Sequence, residues 1–240
     1  MLNGKEDMEP LGSNNDIASR WAGLKTRIIS GAALAALTLL ALWLGGWLFA
    51  LLVTVAAMLM IKEWDVLTED DGRLWRFAGL AYVAVPCASL IWLRDVRFEN
   101  NANAGARLVL FLMLVIWATD IGAYFAGRKI GGPKLAPRLS PSKTWAGLGG
   151  GILSAAIVGG ISCSFTPYPP SLIACMDMGA VLAIVAQGGD LFESWLKRRI
   201  GAKNSGDLIP GHGGLLDRVD GLIFTTPLFA WLVYMSGAIL

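Results

Sequence analysis

Long stretches without a single charge alternate with short polar segments, and this alternation predicts the elements. From Ile28 to Ile61 there are 34 uncharged residues. About 20 residues cross the hydrocarbon as a helix, so this run holds two helices. The pair Gly45-Gly46 marks the break between them. A charged loop, Lys62 to Arg76, precedes an uncharged run from Phe77 to Leu93. A fourth span covers about Arg107 to Gly127 and contains one acid, Asp120. The loop 128–144 follows, with five Lys/Arg and no acid. Thr144 to Met176 is again uncharged, but Thr166-Pro-Tyr-Pro-Pro170 cannot stay helical, which divides it into spans at about 145–163 and 172–196. Gly221 to Leu240 is the last uncharged run. The pattern predicts an all-α, polytopic membrane protein of about seven transmembrane helices.

Residues 1–27 are polar and hold four basic and four acidic residues. A cleaved signal needs an early apolar run. Here that run starts at Ile28, so the pattern reads as a polar tail ahead of an uncleaved first helix. The membrane domain 28–240 then has N-terminal spans over 28–93 and its polar chemistry over 107–240. With the tail inside, segments 1–27, 62–76, 128–144 and 197–218 are inner, and they hold 17 of the 20 Lys/Arg. Such a bias is what the positive-inside rule requires. It predicts a cytosolic N-terminus, an outer C-terminus and residence in a cytoplasmic membrane.

Composition sharpens this. The chain has 240 residues, 55% hydrophobic and 16% charged, with a mean hydropathy of +0.57. A formal net charge of +2 leaves no basic footprint for nucleic acid. Cys87, Cys163 and Cys175 stand singly in apolar stretches without a CxxC pair, so they read as small packing residues rather than a disulfide or zinc framework.

Acids within spans are costly and mark cavities or bundle interiors. Asp120 and Asp190 each lie seven residues from the inner end of their span, about 10 Å of helix rise. Asp177 lies near an outer end, where water reaches it. Asp190, Glu193, Ser194 and Lys197 fall at i, i+3, i+4 and i+7, on one helix face. Carboxylates and a hydroxyl are hard oxygen ligands suited to Mg²⁺. Glu193 with Lys197 also reads as an ordinary helix pair, whereas Asp190 has no evident neighbour in sequence.

A second acidic pair, Asp217 and Asp220, stands at the mouth of the last span. Ahead of it Pro210-Gly-His-Gly-Gly214 forms a turn whose glycines let backbone approach a ligand and aim amides at phosphate oxygens. The third element is the basic loop with Ser140-Pro-Ser-Lys-Thr144. Its Ser140, Ser142, Lys143 and Thr144 offer hydroxyl and ammonium groups to an anion, while Lys134 and Arg138 are accounted for by topology alone. Carboxylates, two basic clusters and a glycine turn on one rim are the equipment of metal-assisted phosphoryl or nucleotidyl transfer. His212, the single histidine, fits a structural or phosphate-binding role, because an ionised phosphate monoester needs no general base.

These residues resemble the phosphatidate cytidylyltransferase family, the CDP-diacylglycerol synthases. The family signature S-x-L-K-R-x4-K-D-x-[GSA]-x2-[LIF]-[PGS]-x-H-G-G-x-x-D-R-x-D is matched from Ser194 to Asp220. The stretches Asp120–Arg128 and Ser140–Trp145 are also similar to it, so the resemblance covers about 107–240. Asn204 stands where the family has Asp, and Ala146 where it has Glu. The resemblance implies a reaction of CTP with phosphatidate, giving CDP-diacylglycerol and pyrophosphate, with Mg²⁺ and a second cation such as K⁺. It implies Asp190, Asp217 and Asp220 as metal ligands. Lys143, Lys197, Arg198, Lys203 and Arg218 would hold the phosphates, beside His212, Gly213 and Gly214 of the turn. It also implies a homodimer. Two rival readings are a CTP-dependent polyprenol kinase-like enzyme and an ion-coupled transporter. The second calls for acids near the bilayer midplane and an inverted repeat, and the sequence has neither.

Overall fold

Seven helices are laid down in chain order in the computed structural model, which describes residues 30–69, 72–97, 103–165, 171–201, 205–206 and 213–236. They are α1 (Ser30–Leu44), α2 (Gly46–Leu67), α3 (Arg73–Asp95), α4 (Ala104–Lys129), α5 (Trp145–Ser162), α6 (Leu172–Arg199) and α7 (Leu216–Met235). Five of them, α2 to α6, are long and apolar enough to cross a membrane, while α1 is a shorter apolar helix. The chain is a multi-pass helical membrane protein. The basic loop adds a small hairpin to the all-α expectation: β1 (Lys134–Ala136) pairs antiparallel with β2 (Ser140–Thr144).

The α1–α2 break falls at the glycine pair. Gly45 and Gly46 have φ of 64° and 56°, a region that an L side chain rarely adopts. Arg94, from the end of α3, ties down the last turn of α1 by donating to the Leu42 carbonyl (2.6 Å) and the Trp43 carbonyl (3.2 Å).

Two expectations need correction. The charged loop is not 62–76, because α2 runs on to Leu67 and α3 already begins at Arg73. The extra turn is held by burial: Glu63, Trp64 and Leu67 all face the interior. Secondly, Cys163 and Cys175 form a disulfide, with Cα atoms 5.7 Å apart. They are 12 residues apart in sequence, but α5 and α6 are packed neighbours, so the end of one and the start of the other meet. Cys87 remains a free, half-buried thiol.

α4 is the most enclosed span, with 50% of its apolar window buried against 39% or less in the others. It packs on α5, and α5 on α6. Glycines let these backbones approach closely. A Cβ on Gly151 would meet the Thr119 carbonyl at 3.0 Å, and one on Gly159 the Cys175 carbonyl at 2.6 Å. Between helices in lipid, such van der Waals contact replaces the missing hydrophobic drive. One core gathers Leu112, Val115, Leu182 and Phe229 in mid-bundle. A second, of Met60, Trp64, Val83, Leu196, Leu216 and Ile223, lies at the end that carries the Lys/Arg. It is extended by Tyr82 packed on Trp64 (4.8 Å between centroids) and on Phe192 (5.6 Å). This second core is the floor of the polar rim.

Candidate active site

The β hairpin aims Lys143 at α6. Thr144 ends β2 and caps α5, its hydroxyl accepting the Gly147 N–H at 3.0 Å. The Trp145 N–H donates to the Pro133 carbonyl at 3.1 Å and closes the hairpin base. Held so, the Lys143 ammonium meets Asp190 at 2.5 Å and donates to Gln187 Oε1 at 3.1 Å. Asp190 therefore has the partner its own helix lacks, 47 residues upstream in sequence. Ser194 adds a long contact to Asp190 at 3.5 Å.

Beside this pair opens a cavity of about 430 Å³, lined by Asp120, Tyr124, Arg128, Ser142, Lys143, Thr144, Gln187 and Asp190 among others. Arg128 donates to the Tyr124 hydroxyl at 2.6 Å. Asp120, Tyr124, Arg128 and Gln187 thus join residues singled out from sequence. Their signal was available: each falls at or near i, i+4 spacing along its helix, 120/124/128 on α4 and 187/190 on α6.

A second lysine–carboxylate pair lies next to the first. Lys197 donates to Asp217 Oδ1 at 2.6 Å and stands 3.5 Å from Glu193, the helix pair anticipated above. Asp217 Oδ2 accepts two backbone N–H groups, from Ser205 (2.9 Å) and Gly214 (3.2 Å). Asp217 is accordingly an anchor for the turn as well as a charge. Asp220 accepts the N–H of Gly221 at 2.7 Å. Both acids belong to the first turns of α7 rather than to a loop before it.

Glu63, near the end of α2, is the functional neighbour that sequence reasoning missed. Only 4% exposed, it accepts the N–H groups of Leu215 (2.7 Å) and Leu216 (2.8 Å) at the start of α7. The signal was its position. Glu63 lies three residues after Met60 and four before Leu67, on the apolar face of α2 and not on a solvated one.

The remaining site residues are placed as follows. The Ser140 and Ser142 hydroxyls lie 3.4 Å apart on β2. Arg198, exposed at the end of α6, donates to the Leu139 carbonyl at 3.4 Å and so links α6 to the hairpin. Arg218 lies in the first turn of α7, its N–H donating to the Leu215 carbonyl at 3.0 Å. Gly213 has φ 84°, the left-handed backbone expected of the turn. The amides of Gly214, Leu215 and Leu216 are taken by Asp217 and Glu63. Lys203, His212 and Asn204 lie outside the described residues. Among the described residues no group of three or more His, Cys, Asp or Glu side chains is drawn together as a metal-binding cluster. Asp120, Asp190 and Asp220 nevertheless lie within one another's electrostatic field.

The fold and this rim define a class: a multi-pass membrane protein whose acids and bases converge at the basic end of the bundle. Comparison with known proteins narrows it. The model of the family described as "Cytidylyltransferase family" matches residues 65–236, and the chain belongs to that family. It is 46% identical over 188 residues to a phosphatidate cytidylyltransferase of Brucella suis biovar 1 (strain 1330), a match covering 78% of this chain and 64% of that one. It is 37% identical over 224 residues to the enzyme of that name from Rickettsia bellii (strain RML369-C), covering 90% and 92% of the two chains. The counterpart in Rickettsia prowazekii (strain Madrid E) is 37% identical over 211 residues. The chain thus spans 64% of the length of the Brucella relative and nearly all of the Rickettsia one.

Proposed function

We propose that this protein transfers the cytidylyl group of CTP to phosphatidate, giving CDP-diacylglycerol and pyrophosphate for phospholipid synthesis. The observation that carries the reading is the convergence of Lys143–Asp190 and Lys197–Asp217, from two helices and a hairpin, with the first pair lining a cavity. The names of the relatives support the same reading.

A phosphatidate oxygen attacks the α-phosphorus of CTP, a P–O bond forms, and the bond to the pyrophosphate oxygen breaks. Lys143 and Arg128, at the cavity, supply positive charge to phosphate oxygens, and Lys197, Arg198, Lys203 and Arg218 extend that charge along the rim. Thr144 and Ser142 offer hydroxyl groups at the cavity wall. The Glu193–Lys197–Asp217 network keeps the start of α7 in place while charge moves from nucleophile to leaving group.

A divalent cation suits Asp190 and Asp220, which with Asp120 are neighbouring like charges and oxygen ligands in want of positive charge. Asp190 and Asp220 would hold Mg²⁺, with Asp217 joining them by giving up its contact to Lys197, beside a second cation such as K⁺. Bound there, the metal would neutralise triphosphate oxygens and ease departure of pyrophosphate. We place the rim on the cytosolic side of the inner membrane and the N-terminus with it, where CTP is available. The Lys/Arg bias supports this, and so does the Cys163–Cys175 disulfide at the opposite end, since disulfides persist in oxidising compartments. A homodimer is the assembly we expect.

The test uses purified protein in detergent with labelled CTP, phosphatidate and Mg²⁺, beside Asp217→Asn. We expect CDP-diacylglycerol and pyrophosphate from the parent and neither from the variant. A phosphorylated polyprenol, or no lipid product at all, would refute the assignment.

A further inference from the structure

We propose that Glu63 is a positioning residue for the reaction: its carboxylate, delivered from α2, fixes the turn before α7 and thereby the aim of Asp217. The inference rests on the reaction proposed above and adds a part of the molecule that lies outside the 65–236 region matched by the family.

The start of α7 cannot hold itself. Its cap position is Leu215, which has no side chain to accept the orphan amides of a first turn. Glu63 supplies both acceptors, one oxygen each to Leu215 and Leu216, from 152 and 153 residues away in sequence. Its negative charge also meets the positive end of the α7 dipole. Two residues further on, Asp217 reaches back to the Gly214 N–H, so the two carboxylates grip three successive amides of one turn.

The glycines around this grip are shaped to Glu63. The atoms nearest a Cβ on Gly206 would be those of Glu63, Oε1 at 3.1 Å and Cγ at 3.2 Å. A Cβ on Gly214 would strike Ser205 Oγ first, then the Gly206 backbone N at 2.8 Å and Glu63 Oε1 at 3.0 Å. Neither glycine has positive φ. The missing side chain of Gly206 therefore makes room for the carboxylate, and that of Gly214 for Ser205, the Gly206 backbone and the carboxylate together, instead of serving backbone conformation. Part of the glycine-rich signature is thus a receptacle for an acid on a distant helix.

Gln in place of Glu63 keeps the shape but turns one acceptor into an N–H donor facing an N–H donor. The turn then shifts, and misplacement of about 1 Å at a reacting site costs on the order of 10²-fold in rate. The experiment compares full-length parent, Glu63→Gln, Gly206→Ala and the double variant in detergent with CTP and phosphatidate. We expect kcat to fall about 10²-fold in Glu63→Gln with KM for CTP held within about twofold, the pattern of an interaction realised in the transition state. Gly206→Ala, the milder change, should lower kcat about tenfold and add nothing further in the Glu63→Gln background, because it acts through the same carboxylate. A folded Glu63→Gln that keeps parental kcat, or losses that simply add, would overturn the proposal. If Glu63→Gln does not fold, Gly206→Ala decides by the same kcat and KM readout. Should the parent form no lipid nucleotide, the reaction assignment fails by itself, and hydrogen exchange then judges Glu63. Exchange at Leu215 and Leu216 at least about tenfold faster in Glu63→Gln sustains the anchoring, and unchanged exchange refutes it.

Discussion

Lys143–Asp190 and Lys197–Asp217 are matched in length, at 2.5 and 2.6 Å, but not in surroundings. Asp190 keeps 36% of its side chain exposed at the mouth of a cavity and has one further long contact, from Ser194. Asp217 is 11% exposed, and its second oxygen is filled by two backbone amides. The first pair can part to admit a ligand at little structural cost. The second holds a turn, a helix start and Glu193 together, so opening it leaves buried charge unpaired. One rim therefore contains a working pair and a framing pair, which a sequence pattern of Lys and Asp does not distinguish.

Substitutions can break that distinction. Asp217→Asn should abolish product formation and destabilise the fold by about 3 kcal/mol, because Lys197 would stay half-buried beside Glu193 alone. Calorimetry alongside the CTP assay checks both. Asp190→Asn should lower kcat on the order of 10²-fold while shifting stability by no more than about 1 kcal/mol. Equal loss of stability in the two variants would erase the contrast between the pairs. Cys163→Ser, far from either, should cost about 2–3 kcal/mol of stability and leave kcat unchanged. Thiol labelling of the unreduced parent should modify Cys87 alone, and labelling of all three cysteines would disprove the staple. The smallest effect belongs to Thr144→Ala, which removes the α5 cap and should cost about 1 kcal/mol. A larger fall in CTP turnover than in stability would show that Thr144 also meets substrate.

The spans were legible because charge is expensive in lipid, so uncharged runs had to be membrane segments. The α1–α2 break and the division of the long run into α5 and α6 appear where the pattern put them. What stayed hidden depends on partners distant in sequence. Asp190 looked unpaired because Lys143 reaches it from another element. Glu63 looked like the start of a loop because what makes it helical is a turn more than 150 residues away. The disulfide escaped notice because solitary cysteines in apolar runs are usually packing residues, and only the packing of α6 on α5 brings these two together. Lys197 with Glu193 and Ser194 with Asp190 were readable from spacing, since each pair lies within a single helix.

The length of α6 fixes where chemistry happens relative to the lipids. Counted from Leu172, Asp190 stands about 27 Å along the axis and Lys197 about 38 Å. The hydrocarbon layer is about 30 Å thick. With Leu172 at the far face, Asp190 falls near where the acyl chains end and Lys197 falls among the headgroups. In the proposed reaction a lipid phosphate in that leaflet would reach the cavity by sideways diffusion, its tails never leaving the bilayer. For that reaction the search for one substrate would be two-dimensional and the search for the other three-dimensional, so lipid density in the leaflet would set the supply of one and solution concentration the supply of the other.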